Sequence, residues 1–257
     1  MVPAPLEIAH RGYSAVAPEN TVAAFRAALD AGARAAECDV RCTADGHVVL
    51  LHDAALDRTT DGSGPVTAVT LEELRRLDAG SWKSGDCPHE HVPTLAEVLE
   101  LTCGRLHLVI EIKQTGVAER VLDTVEQAGA LGHVSVISFD AATCRRVREL
   151  APTVSVGWLT VGLPAEASEQ QARGLLEEGL AAHVQFLSVA AGGLAPSLLR
   201  CCQLAGISLW AWTVNEPGEV RRLASLGVAA ITTDDPATAL AALAALASRH
   251  RGTCRAG

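Results

Sequence analysis

The chain has 257 residues, of which 49% are hydrophobic and only 3% aromatic. This length exceeds that of a typical single domain, but α/β barrels often fill it as one domain around a core of Ala, Leu and Val. The net charge of −9 argues against nucleic acid and anionic membranes as partners. An anionic small molecule would therefore need a local cluster of positive charge or a metal ion.

The cysteines and the N-terminal residues predict a cytoplasmic protein. The eight cysteines form no Cys-x-x-Cys pair and no zinc-like spacing, and Cys201 and Cys202 are adjacent, which suits a disulfide framework poorly. Buried or free thiols in a reducing compartment are expected. No basic segment followed by an apolar run opens the sequence, so no signal peptide is predicted, and the apolar segment 237–247 is too short to span a membrane.

Short β-rich runs alternate with helical patterns along the whole chain. The predicted strands are 6–9, 35–40, 48–52, 106–112, 134–138, 154–160, 186–190, 207–214 and 229–233. The predicted helices are 20–31, 94–102, 117–128, 141–150, 165–179, 195–205, 217–226 and 236–248. Repeated strand–helix units of this length predict a parallel sheet with helices packed outside it.

The connection between the second and third predicted strands identifies one strand as additional to an eight-fold barrel. It reads "RCTADGH", which is too short for a parallel crossover and contains the hairpin signal Asp45-Gly46. Strand 48–52 should therefore fold back antiparallel on 35–40. Eight parallel strands and eight helices remain, which predicts a TIM (β/α)8 barrel. A doubly wound open sheet is the alternative, but no G-x-G-x-x-G motif follows the first strand.

Segment 53–93 does not follow the strand–helix alternation. It contains "DRTTDGSG", a short helical pattern near 70–78, and "SWKSGDCPHEHVP". Long insertions in barrels usually form lids or rims. We therefore expect residues 1–257 to be a single domain, in which this small insertion caps the rim of the barrel.

Ionisable residues are concentrated where the predicted strands end, which is where TIM barrels carry their active sites. Glu37 and Asp39 are two positions apart and so face the same side of their strand, as do Glu111 and Lys113. Three carboxylates facing the barrel axis need a compensating cation, and one hard divalent ion, Mg²⁺ or Ca²⁺, is one interpretation. The alternative is a buried salt-bridge cluster with Lys113 and Arg11, which leaves three acids against two bases.

Two histidines are predicted to flank this acidic cluster. His10 ends the first strand, and a hairpin turn centred on Thr43–Gly46 places His52 about opposite Glu37. Imidazoles transfer protons near neutral pH, as general acid or general base. With a metal ion and two basic side chains that bind an oxyanion, this set predicts metal-assisted chemistry on a phosphate ester.

Arg11 directly follows His10, although consecutive residues of a strand face opposite sides. Gly12 allows the backbone to turn sharply at this point. We therefore expect His10 to point into the barrel while Arg11 reaches over the rim towards the same substrate atoms.

The sequence resembles the glycerophosphodiester phosphodiesterase family in motifs that run almost from end to end. They are "AHRGYSAVAPENTVAAF", "ECDVRCTADGHVVLLHDAALDRTTDGSG", "VPTLAEVL", "VIEIK", "ISFD", "WAWTVNE" and "ITTDDP". Their order and spacing are far more specific than any single motif. The resemblance implies a TIM barrel with an insertion after the His-Asp hairpin. It also implies a bound divalent metal ion and hydrolysis of glycerophosphodiesters to sn-glycerol 3-phosphate and an alcohol.

Position by position, the resemblance assigns the residues of the site. The metal ligands are Glu37, Asp39 and Glu111, the acid/base pair is His10 and His52, the phosphate contacts are Arg11 and Lys113, and the substrate pocket contains Glu19, Asn20 and Trp212. Asn20 is also a plausible helix cap, and Trp212 a plausible core aromatic residue. Asp234 is expected at the end of the last strand. The family mechanism implies a cyclic phosphate intermediate, and the sequence leaves open which histidine is the first base.

Two other functions stay open at this point. One is a phospholipase D-like activity on lysophospholipids, which share the glycerophosphate head but need an apolar groove, whereas "SGDCPHEHVP" is polar. The other is a barrel that binds a phosphate ligand without turnover, although such a protein has little need for two proton-transfer groups. A small-molecule partner is predicted in each case. The alcohol, the metal and the oligomeric state are not determined.

Overall fold

Parallel strands form a closed barrel in the computed structural model, which describes residues 4–84 and 89–253, with side chains to residue 247. Nine strands lie in these ranges: β1 Leu6–Ala9, β2 Ala35–Cys42, β3 Val48–Leu50, β4 His107–Ile112, β5 Val134–Ser138, β6 Ser155–Thr160, β7 Phe186–Ala190, β8 Ser208–Trp212 and β9 Ala230–Thr233. Around the barrel their order is β1, β2, β4, β5, β6, β7, β8 and β9, and β9 pairs with β1. The predicted TIM barrel is confirmed.

The helices cover the outside of this barrel. Their bounds are α1 Val22–Asp30, α2 Leu71–Leu74, α3 Leu95–Thr102, α4 Ala118–Gln127, α5 Ala141–Leu150, α6 Glu169–Ala181, α7 Pro196–Ala205, α8 Pro217–Ser225 and α9 Pro236–Thr253. Helix α1 is capped by Thr21, whose hydroxyl accepts a hydrogen bond from the Ala24 amide, and not by Asn20. Asn20 lies one residue earlier, with a φ of 58°, and its side chain serves the site described below.

Strand β3 pairs antiparallel with β2, as the hairpin signal predicts, but the register differs by one residue. Val40 is paired with Leu50 and Cys42 with Val48, so five residues, 43–47, form the loop. The centre of the hairpin is therefore Asp45. His52, beyond the end of β3, is in register with Cys38. The expected position opposite Glu37 is wrong because the prediction assumed a loop with an even number of residues.

A cluster of apolar side chains fills part of the barrel interior. The cluster consists of Ile8, Ala35, Val109, Ile137, Leu159, Phe186 and Ala230, with Leu6, Trp210 and Trp212 packed against it. The rings of Phe186 and Trp210 stack with centroids 3.7 Å apart. On β2 and β4 the next residues on the same face towards the carboxyl ends are ionisable: Glu37 and Asp39 follow Ala35, and Glu111 follows Val109.

The inserted segment has a small core of its own. Leu56, Val66, Leu74 and Ala79 pack there against Val49 of β3 and other apolar side chains. Residues 85–88 of the insertion, Cys87 among them, lie outside the described residues, as does Cys254. The six described cysteines are free thiols. Among helices in the described ranges, none combines the length and apolar character that a bilayer span requires.

Candidate active site

The chain turns sharply where β1 ends. The His10 amide donates to the Thr233 carbonyl at 2.8 Å, which continues the pairing with β9. Arg11 and Gly12 then adopt φ values of 56° and 78°, a region that glycine occupies without strain. A Cβ on Gly12 would lie 2.6 Å from the Ala24 carbonyl carbon. The position thus requires glycine, and the turn brings the Arg11 amide to 3.0 Å from Glu37 Oε2.

Three buried carboxylates meet at the carboxyl ends of β2 and β4. Asp39 and Glu111 are paired in register, and oxygens of Glu37, Asp39 and Glu111 lie within 4.8 Å of one another. Lys113 Nζ lies 3.1 Å from Asp39 Oδ1 and 2.7 Å from Glu111 Oε1. Arg11 Nε lies 3.1 Å from Asp39 Oδ2. Both features expected from the sequence are therefore present, the acidic cluster and its salt bridges.

The two cations leave this cluster incompletely neutralised. Glu37 Oε1 is buried and has no hydrogen-bond partner among the described residues. Burial, together with the charges of Asp39 and Glu111, raises the pKa of Glu37 well above its usual value. Burial and Asp39 raise the pKa of Glu111 to about 7. Oxygen donors of this kind fit a hard divalent cation, which would supply the missing positive charge.

Asp39 differs from Glu37 and Glu111 because each of its two oxygens lies 3.1 Å from a cation, Oδ2 from Arg11 and Oδ1 from Lys113. Burial alone would raise its pKa, but Lys113 and Arg11 outweigh burial and lower it. The Asn20 amide donates to Asp39 Oδ2 at 2.8 Å, and the Asp39 backbone amide donates to Asn20 Oδ1 at 3.2 Å. Asp39 is therefore the carboxylate of the cluster that stays ionised.

Each of the two histidines is hydrogen-bonded to an aspartate through Nδ1. His10 Nδ1 lies 2.6 Å from Asp234 Oδ1, and His52 Nδ1 lies 2.6 Å from Asp53 Oδ1. The Asn215 amide donates to Asp234 Oδ2 at 2.7 Å. This pairing fixes the ring orientation and leaves Nε2 of each histidine for a proton transfer. Burial lowers the pKa of His52, which favours the neutral imidazole.

Glu19 and Asn20 lie behind the wall of the cavity. Asn20 holds Asp39, and Glu19 Oε1 accepts a hydrogen bond from Arg11 Nη1 at 2.7 Å. Arg58 of the insertion donates to Glu19 from the other side, at 2.8 and 2.9 Å. These two predicted pocket residues thus orient other site residues.

The cavity at the carboxyl ends of the strands has a volume of about 250 Å³. One side carries the charged residues described above, and the other is apolar, formed by Ile137, Phe139, Leu159 and Trp212. The rings of Phe139 and Trp212 meet edge to face with centroids 5.7 Å apart, and Trp212 Nε1 donates to the Ser188 carbonyl at 3.1 Å. A small phosphorylated molecule with a carbon skeleton suits such a two-sided cavity.

The profile of the glycerophosphoryl diester phosphodiesterase family matches residues 10–238 of the chain. The chain belongs to this family. Among its relatives, a glycerophosphodiester phosphodiesterase of Caldanaerobacter subterraneus subsp. tengcongensis is 38% identical over 240 residues, which cover 91% of this chain and 95% of the relative. A glycerophosphodiester phosphodiesterase of Bacillus subtilis is 30% identical over 253 residues, or 90% and 84% of the two chains.

Solved structures of other family members have the same fold. A phosphodiesterase of Oleispira antarctica, in complex with its product sn-glycerol-3-phosphate, has a TM-score of 0.82 and 30% identity, covering 94% of this chain and 97% of that one. A glycerophosphodiester phosphodiesterase of Agrobacterium tumefaciens has a TM-score of 0.79 and 28% identity, covering 92% and 99%. The family resemblance read from the motifs is confirmed.

The structure brings the predicted site residues together and adds supporting residues that the sequence signals missed. Asp234 was expected only as a residue at a strand end, and it supports His10. Asn215 was likewise expected only at a strand end, and Asp53 and Arg58 were given no role. The His-Asp, Arg-Thr-Thr and Trp-Thr-Val-Asn motifs contain these three residues, so their positions were visible. The partners of Asn215 and the Glu19 partner of Arg58 lie in distant parts of the chain.

Proposed function

We propose that this protein hydrolyses glycerophosphodiesters to sn-glycerol 3-phosphate and an alcohol. The observation that carries the proposal is the pair of aspartate-supported histidines, His10 and His52, on the wall of a cavity. The same cavity is lined by Glu37 and Glu111 of the acidic cluster and by Arg11 and Lys113. Membership of the family supports the substrate class. The Oleispira antarctica neighbour, whose product is sn-glycerol-3-phosphate, supports the product.

Glu37, Asp39 and Glu111 are proposed to hold one divalent metal ion, Mg²⁺ or Ca²⁺. The unpartnered Glu37 oxygen and the raised pKa values of Glu37 and Glu111 support this assignment, because both indicate a site short of positive charge. When bound, the ion would stabilise negative charge on the phosphoryl oxygens.

Arg11 and Lys113 are proposed to bind the phosphate, one through a planar guanidinium and the other as a point charge. Their positions on the cavity wall beside the acidic cluster support this role. The carbon skeleton of glycerol would pack against the apolar side, where Trp212 and Phe139 meet. This arrangement orients the glycerol 2-hydroxyl towards phosphorus.

The proposed reaction has two steps, each with two proton transfers. In the first, one histidine removes the proton of the glycerol 2-hydroxyl, whose oxygen attacks phosphorus. The bond to the leaving alcohol breaks, and the other histidine protonates its oxygen. In the second step one histidine removes a proton from water, which attacks the cyclic phosphate. The bond between phosphorus and the glycerol 2-oxygen breaks, and the other histidine protonates that oxygen. The two histidines thus exchange roles, and both return to their starting protonation states. The paired aspartates hold the rings in place throughout.

Lysophospholipids are a second candidate substrate class, hydrolysed by the same steps. Phe139 and Val161, at the ends of neighbouring strands, are 47% and 69% exposed, and such apolar side chains favour a substrate whose glycerol carries an acyl chain. We further propose that the protein acts in the cytoplasm, with the barrel and its insertion as a single domain.

A substrate panel tests the proposal. The purified protein is incubated with glycerophosphocholine, glycerophosphoethanolamine or lysophosphatidylcholine, with Mg²⁺ or Ca²⁺. The phosphomonoester released is measured, which is glycerol 3-phosphate from the two diesters and acylglycerol 3-phosphate from the lysophospholipid. Release from the two diesters supports the main proposal, and release from lysophosphatidylcholine alone supports the second candidate. If none of the three substrates is hydrolysed with either ion, the proposed function is wrong.

A further inference from the structure

We propose that Arg58, in the insertion, is a positioning residue that holds His52 through Asp53 and Arg11 through Glu19. The inference rests on the proposed function, because it takes His52 as a proton-transfer group and Arg11 as a phosphate contact. Arg58 belongs to the "RTT" motif of the sequence, which has no role in the reaction as described so far.

The guanidinium of Arg58 makes hydrogen bonds to two different carboxylates. Its Nε donates to Asp53 Oδ2 at 2.5 Å. Its Nη1 and Nη2 donate to Glu19 Oε2 and Oε1 at 2.9 and 2.8 Å. The Glu19 contact is bidentate, a geometry that the planar guanidinium supports and an ammonium group does not.

Each of these carboxylates has a second partner in the site. The other oxygen of Asp53 lies 2.6 Å from His52 Nδ1, and Glu19 Oε1 also accepts from Arg11 Nη1 at 2.7 Å. One side chain of the insertion is thereby connected to a histidine and to a cation of the cavity wall. The insertion contributes to the geometry of the reacting groups as well as covering the rim.

Losing Arg58 would affect both the contact of Asp53 with His52 and the contact of Glu19 with Arg11. Asp53 would keep His52 as its partner but lose the donor that fixes its second oxygen, so the imidazole would be less well oriented. Glu19 would direct its charge at Arg11 alone, which would weaken the attraction of Arg11 for phosphate. The cost to folding would be small, because the Arg58 side chain is 43% exposed and exposed ion pairs contribute little stability.

Kinetics of three variants test this role. We expect Arg58→Ala to lower kcat for glycerophosphocholine by about 10- to 100-fold, which is the order of effect that misplaced reacting groups produce, with KM raised by a smaller factor. Arg58→Lys should restore part of kcat. The matched control is Arg76→Ala, in the same insertion, since Arg76 is 69% exposed and pairs with Glu72 on the surface. The control should have wild-type kcat, and all three variants should unfold within a few degrees of the wild type.

A spectroscopic measurement separates this inference from the proposed function. The Nδ1 proton that His52 shares with Asp53 should give a downfield proton resonance, assigned by its loss in His52→Ala. We expect this resonance to shift or broaden in Arg58→Ala and to stay unchanged in Arg76→Ala. If the wild type is active, wild-type kcat in Arg58→Ala overturns the inference and leaves the proposed function intact. If the wild type releases no glycerol 3-phosphate, the proposed function fails, and an unchanged resonance in Arg58→Ala overturns the positioning role as well.

Discussion

Metal binding at the acidic cluster should weaken steeply as the pH falls. Burial raises the pKa of Glu111 to about 7 and that of Glu37 well above its usual value, so protons compete with the metal for both carboxylates near neutral pH. Glu111 would be about 90% ionised at pH 8 and about 10% ionised at pH 6, which alone lowers the apparent affinity about tenfold. Glu37 adds to this loss, because its pKa is also raised. Asp39 adds nothing, because its pKa is already low.

Calorimetric titration with Ca²⁺ at pH 6, 7 and 8 measures this effect. Two buffers of different ionisation enthalpy give the number of protons released, which should lie between about one and two at pH 6. The variant Glu111→Gln should bind Ca²⁺ more weakly and with a shallower pH dependence, because one of the two titrating ligands is gone. Equal affinity at pH 6 and pH 8, with no proton release, would refute the assigned ligand set.

Two further predictions concern the stability of the fold. Glu7 is fully buried, and burial raises its pKa from 4.5 to about 7, although the backbone and the charge of Arg34 partly oppose this rise. A carboxyl whose pKa is raised by folding destabilises the fold once it is ionised. Ionisation of Glu7 should therefore cost the wild type up to about 3 kcal/mol of stability between pH 5 and pH 8, and Glu7→Gln should not show this loss. The free energies of unfolding of the wild type and of Glu7→Gln are measured with urea from pH 5 to pH 8. Curves against pH that run parallel for the two proteins would contradict this prediction. Gly12→Ala should lower the free energy of unfolding by more than about 2 kcal/mol, because the new Cβ meets the Ala24 backbone. The control is Gly32→Ala, which has a similar φ of 80° but open space around the new Cβ. It should lower the free energy of unfolding by about 1 kcal/mol. Equal losses in the two variants would show that the contact with Ala24 is unimportant.

The arrangement of the acidic cluster could be predicted because it depends on local rules. Residues two apart on a strand face the same side, and carboxyl ends of parallel strands share one edge, so Glu37, Asp39 and Glu111 had to converge. The short hairpin identified the antiparallel strand for the same kind of reason. Its register was off by one, because the sequence shows where a turn lies more reliably than how many residues its loop contains.

Several supporting contacts could not be predicted because they join segments far apart in the chain, unlike the local contacts of Asp53 with His52 and Arg58. Asp234 and His10 are separated by 224 positions, and Arg58 and Glu19 by 39. No periodicity or spacing rule links such pairs. The positive φ at Asn20 is likewise not a property of the residue type alone, since it depends on the contact with Asp39.

Phosphorus NMR of glycerophosphocholine hydrolysis follows the proposed metal-dependent reaction directly. The wild type with Mg²⁺ or Ca²⁺ should convert the diester signal into that of glycerol 3-phosphate, and excess EDTA should stop the conversion. His10→Ala and His52→Ala should each lower kcat by about 10²–10⁴-fold while unfolding close to the wild-type temperature. Wild-type turnover per folded molecule in either histidine variant, or full activity in exhaustively chelated enzyme, would contradict the account.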